Sequence, residues 1–216
     1  MHSELVDTLR CMSIHEESWL IAAADEIHGR HIMRGLLGCP ICHARYPIDQ
    51  GIADFTGGNR LPIALEQATA PTDESAAIKL AAMLDLTEPS GYVILVGNWA
   101  RVAAALHELV RVMVLAVNPP PDVAMGSGVS GVATVDRIPV AAGSARGIAF
   151  DSLHATPRAA FAPIAALGAV KPGGRVVASA AAAVPDDVAI LAQDADHWVG
   201  TRASGAPLIR LARNPR

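Results

Sequence analysis

An α/β fold is what the sequence predicts: a doubly wound, mostly parallel sheet ending in an antiparallel hairpin, with a small metal-binding segment in front. Three observations carry this. From Gly91 onward short apolar runs alternate with helical stretches, and such alternation builds a parallel sheet with helices on both faces. Hydrophobic residues make up 51% of the 216-residue chain but aromatics only 4%, so the core volume comes mostly from Ala, Val, Leu and Ile, which suits α/β packing. All three cysteines fall before residue 43, which sets the front of the chain apart.

The linker is the first element to place. "TGGNRLPIALEQATAPTD", from Thr56, is punctuated by Gly57, Gly58, Pro62 and Pro71 and reads as a linker. Residues 1–55 are then a front domain, 56–71 the linker and 72–216 the sheet domain. "DESAAIKLAAMLDL" is a helix that Thr72 or Asp73 can cap. "GYVILVG" is a continuous apolar run ending at a glycine, as buried parallel strands do. "NWARVAAALHELV" is helical, and "RVMVLAVN" is a second strand stopped by three prolines. "SGVATVD" and "ARGIAFDS" are the third and fourth strands. "TPRAAFAPIAALGAV" is a helix that Pro163 kinks. "KPGG" is a turn, "RVVASA" a fifth strand and "PDDVAILAQDA" a short helix. "HWVGTRA" and "PLIRLAR" pair as the terminal hairpin.

Charge and hydropathy exclude several classes of function. The net charge is -4, all of it from the first 55 residues, which hold 8 acids against 4 arginines. A generic attraction to nucleic acid or to an acidic membrane is disfavoured. No apolar run reaches the ~18–20 residues of a membrane span. The start "MHSELVDTLRCMS" lacks the basic and apolar regions of a signal peptide. A cytoplasmic location is expected, where disulfides are rare.

The cysteines point to metal. Cys39-x2-Cys42 places two thiolates on one tight turn, a zinc-binding spacing. Cys11 and His15 supply a second knuckle and complete a Cys3His set, with His28, His31 and His43 as alternatives for the fourth ligand. A redox pair would need a thioredoxin-like βαβ frame, which is not visible. Three buried cysteines without metal are the bland alternative. A front segment of about 55 residues has little core, so a metal would help it fold.

Two resemblances extend this reading. "ELVDTLRCMSIH" followed by "GLLGCPICHARYPIDQGIADF" resembles the short zinc-ribbon proteins that partner and activate tRNA, rRNA and release-factor methyltransferases. Cys39, Cys42, Tyr46, Pro47, Ile48, Gly51 and Ile52 carry the match, and the first knuckle departs from it. The later part, through "AAFAPIAALGAVKPGGRVVASA", resembles class I methyltransferases that use S-adenosylmethionine. That resemblance implies a Rossmann-like methyltransferase sheet behind a zinc ribbon, with zinc and S-adenosylmethionine as cofactors.

The second resemblance also implies where the cofactor would sit. A glycine motif comes after the first strand, an acid after the second, and a polar residue after the third. This chain keeps only Gly97 of the glycine motif, with Asn98 beside it, while Leu95, Trp99 and Arg101 replace its acid and other glycines. Trp99 is expected to plug the space of the cofactor's amino-acid part. Asn118 stands for the second acid, and Thr134 falls at the adenine position with Asp136 as a substitute. Asp151 and Ser152 end the fourth strand, where substrate contacts belong, and His154 is a loop candidate for a base near the mouth. No catalytic residue emerges. The expected function is a zinc-ribbon, methyltransferase-like pseudoenzyme that binds a protein partner or self-associates. The alternative is an active S-adenosylmethionine-dependent methyltransferase.

Overall fold

The computed structural model describes residues 1–58, 74–150 and 166–204. Within them one mixed sheet of 11 strands runs through the molecule, in the order β1-β2-β3-β4-β7-β6-β5-β8-β9-β11-β10. The front segment supplies a short helix α1 (Ser3–Val6) and the antiparallel strands β1 (Ile21–His28), β2 (His31–Gly38), β3 (Arg45–Asp49) and β4 (Ile52–Asp54). Then come α2 (Glu74–Met83), β5 (Tyr92–Val96), a 3₁₀ turn (Gly97–Val102), α3 (Ala103–Val110), β6 (Met113–Val117), β7 (Val129–Ala133) and β8 (Ala145–Ala149). Strands β9 (Val170–Ser179), β10 (Val188–Gln193) and β11 (His197–Arg202) close the described chain. No helix among the described residues is long and apolar enough to cross a membrane.

The central strands behave as their sequences require. β5 and β7 are buried at every position, as strands covered on both faces must be. Their side chains divide by parity between two cores. On one face Val93, Leu95, Val114, Ala116 and Ala149 pack against Ala77 and Leu80 of α2 and Ala103 and Leu106 of α3. On the other, Ile94, Val96, Leu115, Val117 and Ile148 meet Met1, Leu5 and Leu9 of the front segment, together with Leu167. Among the described residues, then, helices α2 and α3 cover one face, while the first nine residues cover much of the other.

The order β7-β6-β5-β8-β9 is parallel throughout. Counted from β5 it reads 3-2-1-4-5, so the sheet reverses direction between β5 and β8. The KPGG stretch does not turn the chain into a new strand. Val170 already pairs with Ala145, and Arg175 pairs with Gly147, so the intervening residues bulge out of β9 with Gly173 at φ +76°. The bulge keeps both ends in register where a clean turn would have ended pairing.

The expected helix over "PDDVAILAQDA" is not formed. Residues 188–193 are strand β10, and this strand pairs with β11. The hairpin is therefore one element earlier than expected, because "HWVGTRA" is flanked by β9 and β10. Bonding along both edges of β11 outweighs the helical look of a short Ala-rich run. "PLIRLAR", residues 59–73 of the linker region and its adjoining cap, and most of "TPRAAFAPIAALGAV" lie outside the described residues.

The front segment is joined to the body by strand pairing. β4 runs parallel to β7, with Ile52 opposite Gly131, Ala53 opposite Val132 and Asp54 opposite Ala133. Beside this seam the His2 N–H donates to Ser130 Oγ at 2.7 Å, and the His2 and His31 rings meet edge to face at 4.9 Å.

His31 is buried, and its Nε2 lacks a hydrogen-bond partner among the described residues. Burial, aided by the N-terminal amine and then by His2 and His107, holds its pKa down at about 4. Unfolded, the ring titrates at its ordinary value of 6.5. Between those values the unfolded chain binds the extra proton, so stability is complete above the unfolded value and is lost as pH falls through this window. At pH 5 the loss from this group is on the order of 2 kcal/mol. Thermal unfolding measured across that range should show the decline, and His31→Leu should lessen it, with the rest coming from the Met1 amine, which burial holds at about 5.

Candidate metal centre and the crevice beside it

The site begins with β2 and β3. Leu37 faces Tyr46 and Gly38 faces Arg45, so the loop between the strands must reverse within a few residues. The Cys39 N–H donates to Ala44 O at 2.9 Å, and the His43 N–H returns to Cys39 O at 3.1 Å. His43 takes a left-handed conformation, φ +59°. The knuckle closes because these two bonds fold Cys39 and Cys42 onto one side of the turn.

The first knuckle is laid against it by α1 and the strand-like run after it. The Cys11 N–H donates to Ser18 O at 3.0 Å. The ligand atoms of Cys11, His15, Cys39 and Cys42 all lie within 4.8 Å of one another. Cys11 Sγ is 3.6 Å from Cys42 Sγ, and Cys39 Sγ is 3.5 Å from His15 Nε2. A zinc tetrahedron with Zn–S near 2.3 Å and Zn–N near 2.05 Å has edges of about 3.8 Å and 3.6 Å. The four ligands predicted from spacing are thus assembled at zinc-like separations. The alternative histidines do not join them.

The surroundings also suit a cation. His15 Nδ1 lies 2.5 Å from Glu16 O. A proton on Nδ1 leaves the Nε2 lone pair directed at the thiols, as a metal-binding imidazole needs. Without metal that carbonyl and the Cys11 sulfur raise the His15 pKa to about 9. Burial pushes the Cys11 thiol up, but hydrogen bonds from Tyr46 and the Ser13 backbone bring it down to about 6. Tyr46 Oη lies 3.2 Å from Cys11 Sγ and accepts the Met12 N–H at 3.1 Å. Its ring stacks on Phe55 at 4.4 Å, so the group steadying Cys11 is fixed by the core. Bound there, zinc would cross-link the two knuckles as a closed structural ion.

Register places this centre along the carboxyl edge of the parallel strands. β4 is parallel to β7, and β3 and β2 alternate in direction from it. The end of β2, where Cys39 begins, therefore lies at the same edge as the end of β7. The loop after β7 touches the first knuckle directly. Arg137 Nη2 donates to Met12 O at 3.0 Å, and the Arg10 N–H donates to Pro139 O at 2.8 Å. A cavity of about 150 Å³ between them is lined by Cys11, Ser13, His15 and Arg137 among others.

Further along that edge lies the reversal between β5 and β8, the place for a ligand in an open α/β sheet. Gly97 leaves β5 at φ +64°, a conformation that side chains disfavour. Trp99 and Arg101 follow in the 3₁₀ turn that Gly97 begins. Trp99 Nε1 donates to Phe150 O at 3.0 Å, at the end of β8, and its ring packs 5.3 Å from that of His197. The indole so reaches from the β5 side across the reversal to the start of β11. Arg101 grips both oxygens of Asp122 at 2.9 and 3.1 Å and also bonds to Asn98 Oδ1. That fork holds the Asp122 carboxyl below its ordinary pKa and ties the turn after β5 to the loop after β6.

The remaining cofactor candidates are spread along the same edge. Asn118, at φ +48°, donates from Nδ2 to Thr134 O at 3.0 Å and accepts the Thr134 N–H at 2.9 Å. Its amide extends the pairing of β6 and β7 by one rung. Thr134 is buried and donates its hydroxyl to Arg137 O at 2.7 Å. Asp136 is exposed on the loop beyond β7. Asn98 is buried and engaged by Arg101. Asp151, Ser152 and His154 lie outside the described residues. Sequence reasoning missed Asp122, whose signal was only an acid after the three prolines.

No protein-family model matches the chain, and no curated protein matches it significantly. Solved structures give remote likenesses. An RNA methyltransferase from Salinibacter ruber, in complex with S-adenosyl-L-homocysteine, shares 15% identity over 64% of this chain and 97% of its own, with a TM-score of 0.42. A T. thermophilus 16S rRNA N2 G1207 methyltransferase, in complex with AdoMet and guanosine, shares 15% identity over 87% of this chain and 46% of its own, with a TM-score of 0.36. These scores leave the reading of the site to this chain's own residues.

Proposed function

We propose that the chain is a zinc ribbon fused to a methyltransferase-shaped body whose cofactor crevice is closed by its own side chains, and that it works as a protein-binding or assembly module. The observation that carries this is Trp99, anchored across the β5–β8 reversal by its bond to Phe150 O. The Arg101–Asp122 fork and the fully engaged amide of Asn118 add to it. A cofactor would have to displace an indole, break a bidentate ion pair and take an amide in place of an acid for its ribose. Opening such a packed site costs lost contacts and hydrogen bonds together. The ribbon reading rests on the four assembled ligands, and a cytoplasmic setting agrees with free thiols and bound zinc.

An active methyltransferase is the second reading. It is favoured by the bare backbone at Gly97 and by the five parallel strands in 3-2-1-4-5 order. Methyl transfer needs mainly alignment of nucleophile and sulfonium, so a sparse catalytic set is no bar to it. Calorimetric titration with S-adenosylmethionine separates the two. No heat of binding is expected at about millimolar cofactor. Binding tighter than ~100 µM, abolished by Gly97→Arg, would return the chain to the enzymes.

A further inference from the structure

We infer that Cys42 is an oxidation site with Cys11 as its resolving partner, so that a hydroperoxide exchanges the metal cross-link between the two knuckles for a Cys11–Cys42 disulfide. The inference rests on the metal centre proposed for the front segment and gives its cysteines unequal roles.

The three sulfurs are not placed alike. Cys11 and Cys39 are only 6% and 3% exposed, whereas Cys42 is exposed. A small oxidant in solvent therefore meets Cys42 first. The Cys11 sulfur is its neighbour from the other knuckle, at 3.6 Å. A disulfide closes at about 2.05 Å, so the pair needs to approach by only about 1.5 Å. Cys11 is held in that place, with the Tyr46 hydroxyl 3.2 Å and the Ser13 amide 3.5 Å from its sulfur. Cys39 is engaged elsewhere. Its N–H and C=O are bonded within the loop to Ala44 and His43, and its sulfur lies 3.5 Å from His15 Nε2. An exposed thiol poised beside a second, resolving one is the arrangement of redox-sensing cysteines.

Hydrogen peroxide alone completes the chemistry. The Cys42 sulfur attacks one peroxide oxygen, an S–O bond forms and the O–O bond breaks. The other oxygen takes up a proton and departs as water, leaving a sulfenic acid on Cys42. The Cys11 thiolate then attacks the Cys42 sulfur. The S–S bond forms, the S–O bond breaks, and the second oxygen departs as water. The two thiols together give up two electrons and two protons, and one peroxide becomes two waters. The disulfide withdraws two of the four ligands and leaves Cys39 and His15, too few for the four-coordinate set of a structural zinc site. It spans positions 31 apart and joins the same two knuckles. The front segment thus gives up its ion and keeps a cross-link. In a reducing compartment such a bond is transient, which makes the exchange reversible.

The test uses the full, zinc-loaded chain, with hydrogen peroxide as the probe. Metal analysis before treatment reads the centre itself. A chain without zinc refutes the centre, and a chain that holds zinc but does not respond refutes only the switch. Zinc release is followed with a chromophoric chelator, and the oxidised chain is digested without reductant and mapped by mass. Release of about one zinc per disulfide is expected, with the Cys11 and Cys42 peptides joined and Cys39 open to alkylation. A dithiol and added zinc should restore the parent. Hydrogen exchange gives the second reading. Oxidised protein should keep more protection over residues 8–20 and 38–46 than reduced protein stripped by a chelator. A Cys39–Cys42 disulfide, a disulfide between chains, or sulfinic acid on Cys42 with Cys11 still a thiol would overturn the inference. So would zinc retained with all three thiols reduced, or equal loss of protection in oxidised and stripped protein.

Discussion

Freshly purified, unchelated protein is expected to carry about one zinc per chain, and Cys39→Ser is expected to lose it together with the order of the two knuckles. The sulfur of Cys39 is buried at the end of β2 and lies 3.5 Å from His15 Nε2. Removing it leaves three ligands and two unlinked knuckles. In isolated zinc-finger peptides metal binding contributes about 10–16 kcal/mol, all of it folding energy. Here β2–β3 pairing and the burial of Leu37 and Ile48 also hold the segment, so the loss should be several kcal/mol rather than complete unfolding. Hydrogen exchange locates it. Protection should fall over residues 8–20 and 38–46 and, through Arg137 and Met12, over residues 134–141. Strands β5 and β8 should keep theirs. Metal analysis that finds no zinc, or exchange unchanged by a chelator, would rule out the metal centre.

The second large effect is expected at Gly131. A Cβ there would stand 2.7 Å from Ile52 Cγ1 and 3.0 Å from Met125 Sδ, inside the contact distance of real side chains. Gly131→Val therefore pushes β4 away from β7 at one end of a three-residue pairing. Overpacking of this kind costs about 1–3 kcal/mol, concentrated at one seam. The front segment should open from the body before either part unfolds, read as exchange of the Ala53 and Phe55 amides. Zinc content should not change. Combining Gly131→Val with Ile52→Ala makes room and should recover most of the loss. If the single variant melts as one unit with the parent's exchange pattern, the seam does not hold the two parts together.

The cluster of Cys11, His15, Cys39 and Cys42 was legible because its spacing is local. Cys39 and Cys42 share one turn, Cys11 and His15 share another, and the spacing alone limits how they can meet. Buried strands such as Tyr92–Val96 were legible for a similar reason, since an unbroken apolar run can be satisfied only between two covered faces. The hairpin of β1 and β2 was not read at all. β1 is exposed at most positions, so burial imposes no alternation on its Ala-rich sequence. β10 was mistaken for a helix on the same account, being exposed after Val188.

The crevice was legible only as a set of departures. That Trp99 stands in place of a glycine is plain in the row of residues. That its indole crosses to Phe150 and His197, or that Arg101 takes Asp122, depends on elements brought together from across the fold. The sequence by itself determined the candidate ligand set, the parallel core and the charge of the front segment, since each comes from residue type and short spacing. Only the tertiary structure decided that the front segment and the body share one sheet, that the four assembled side chains and the β5–β8 reversal lie on one edge, and that Trp99 reaches across that reversal. Those three outcomes rest on pairings between residues some 50 to 130 positions apart, and no local preference of the chain encodes a contact at that range.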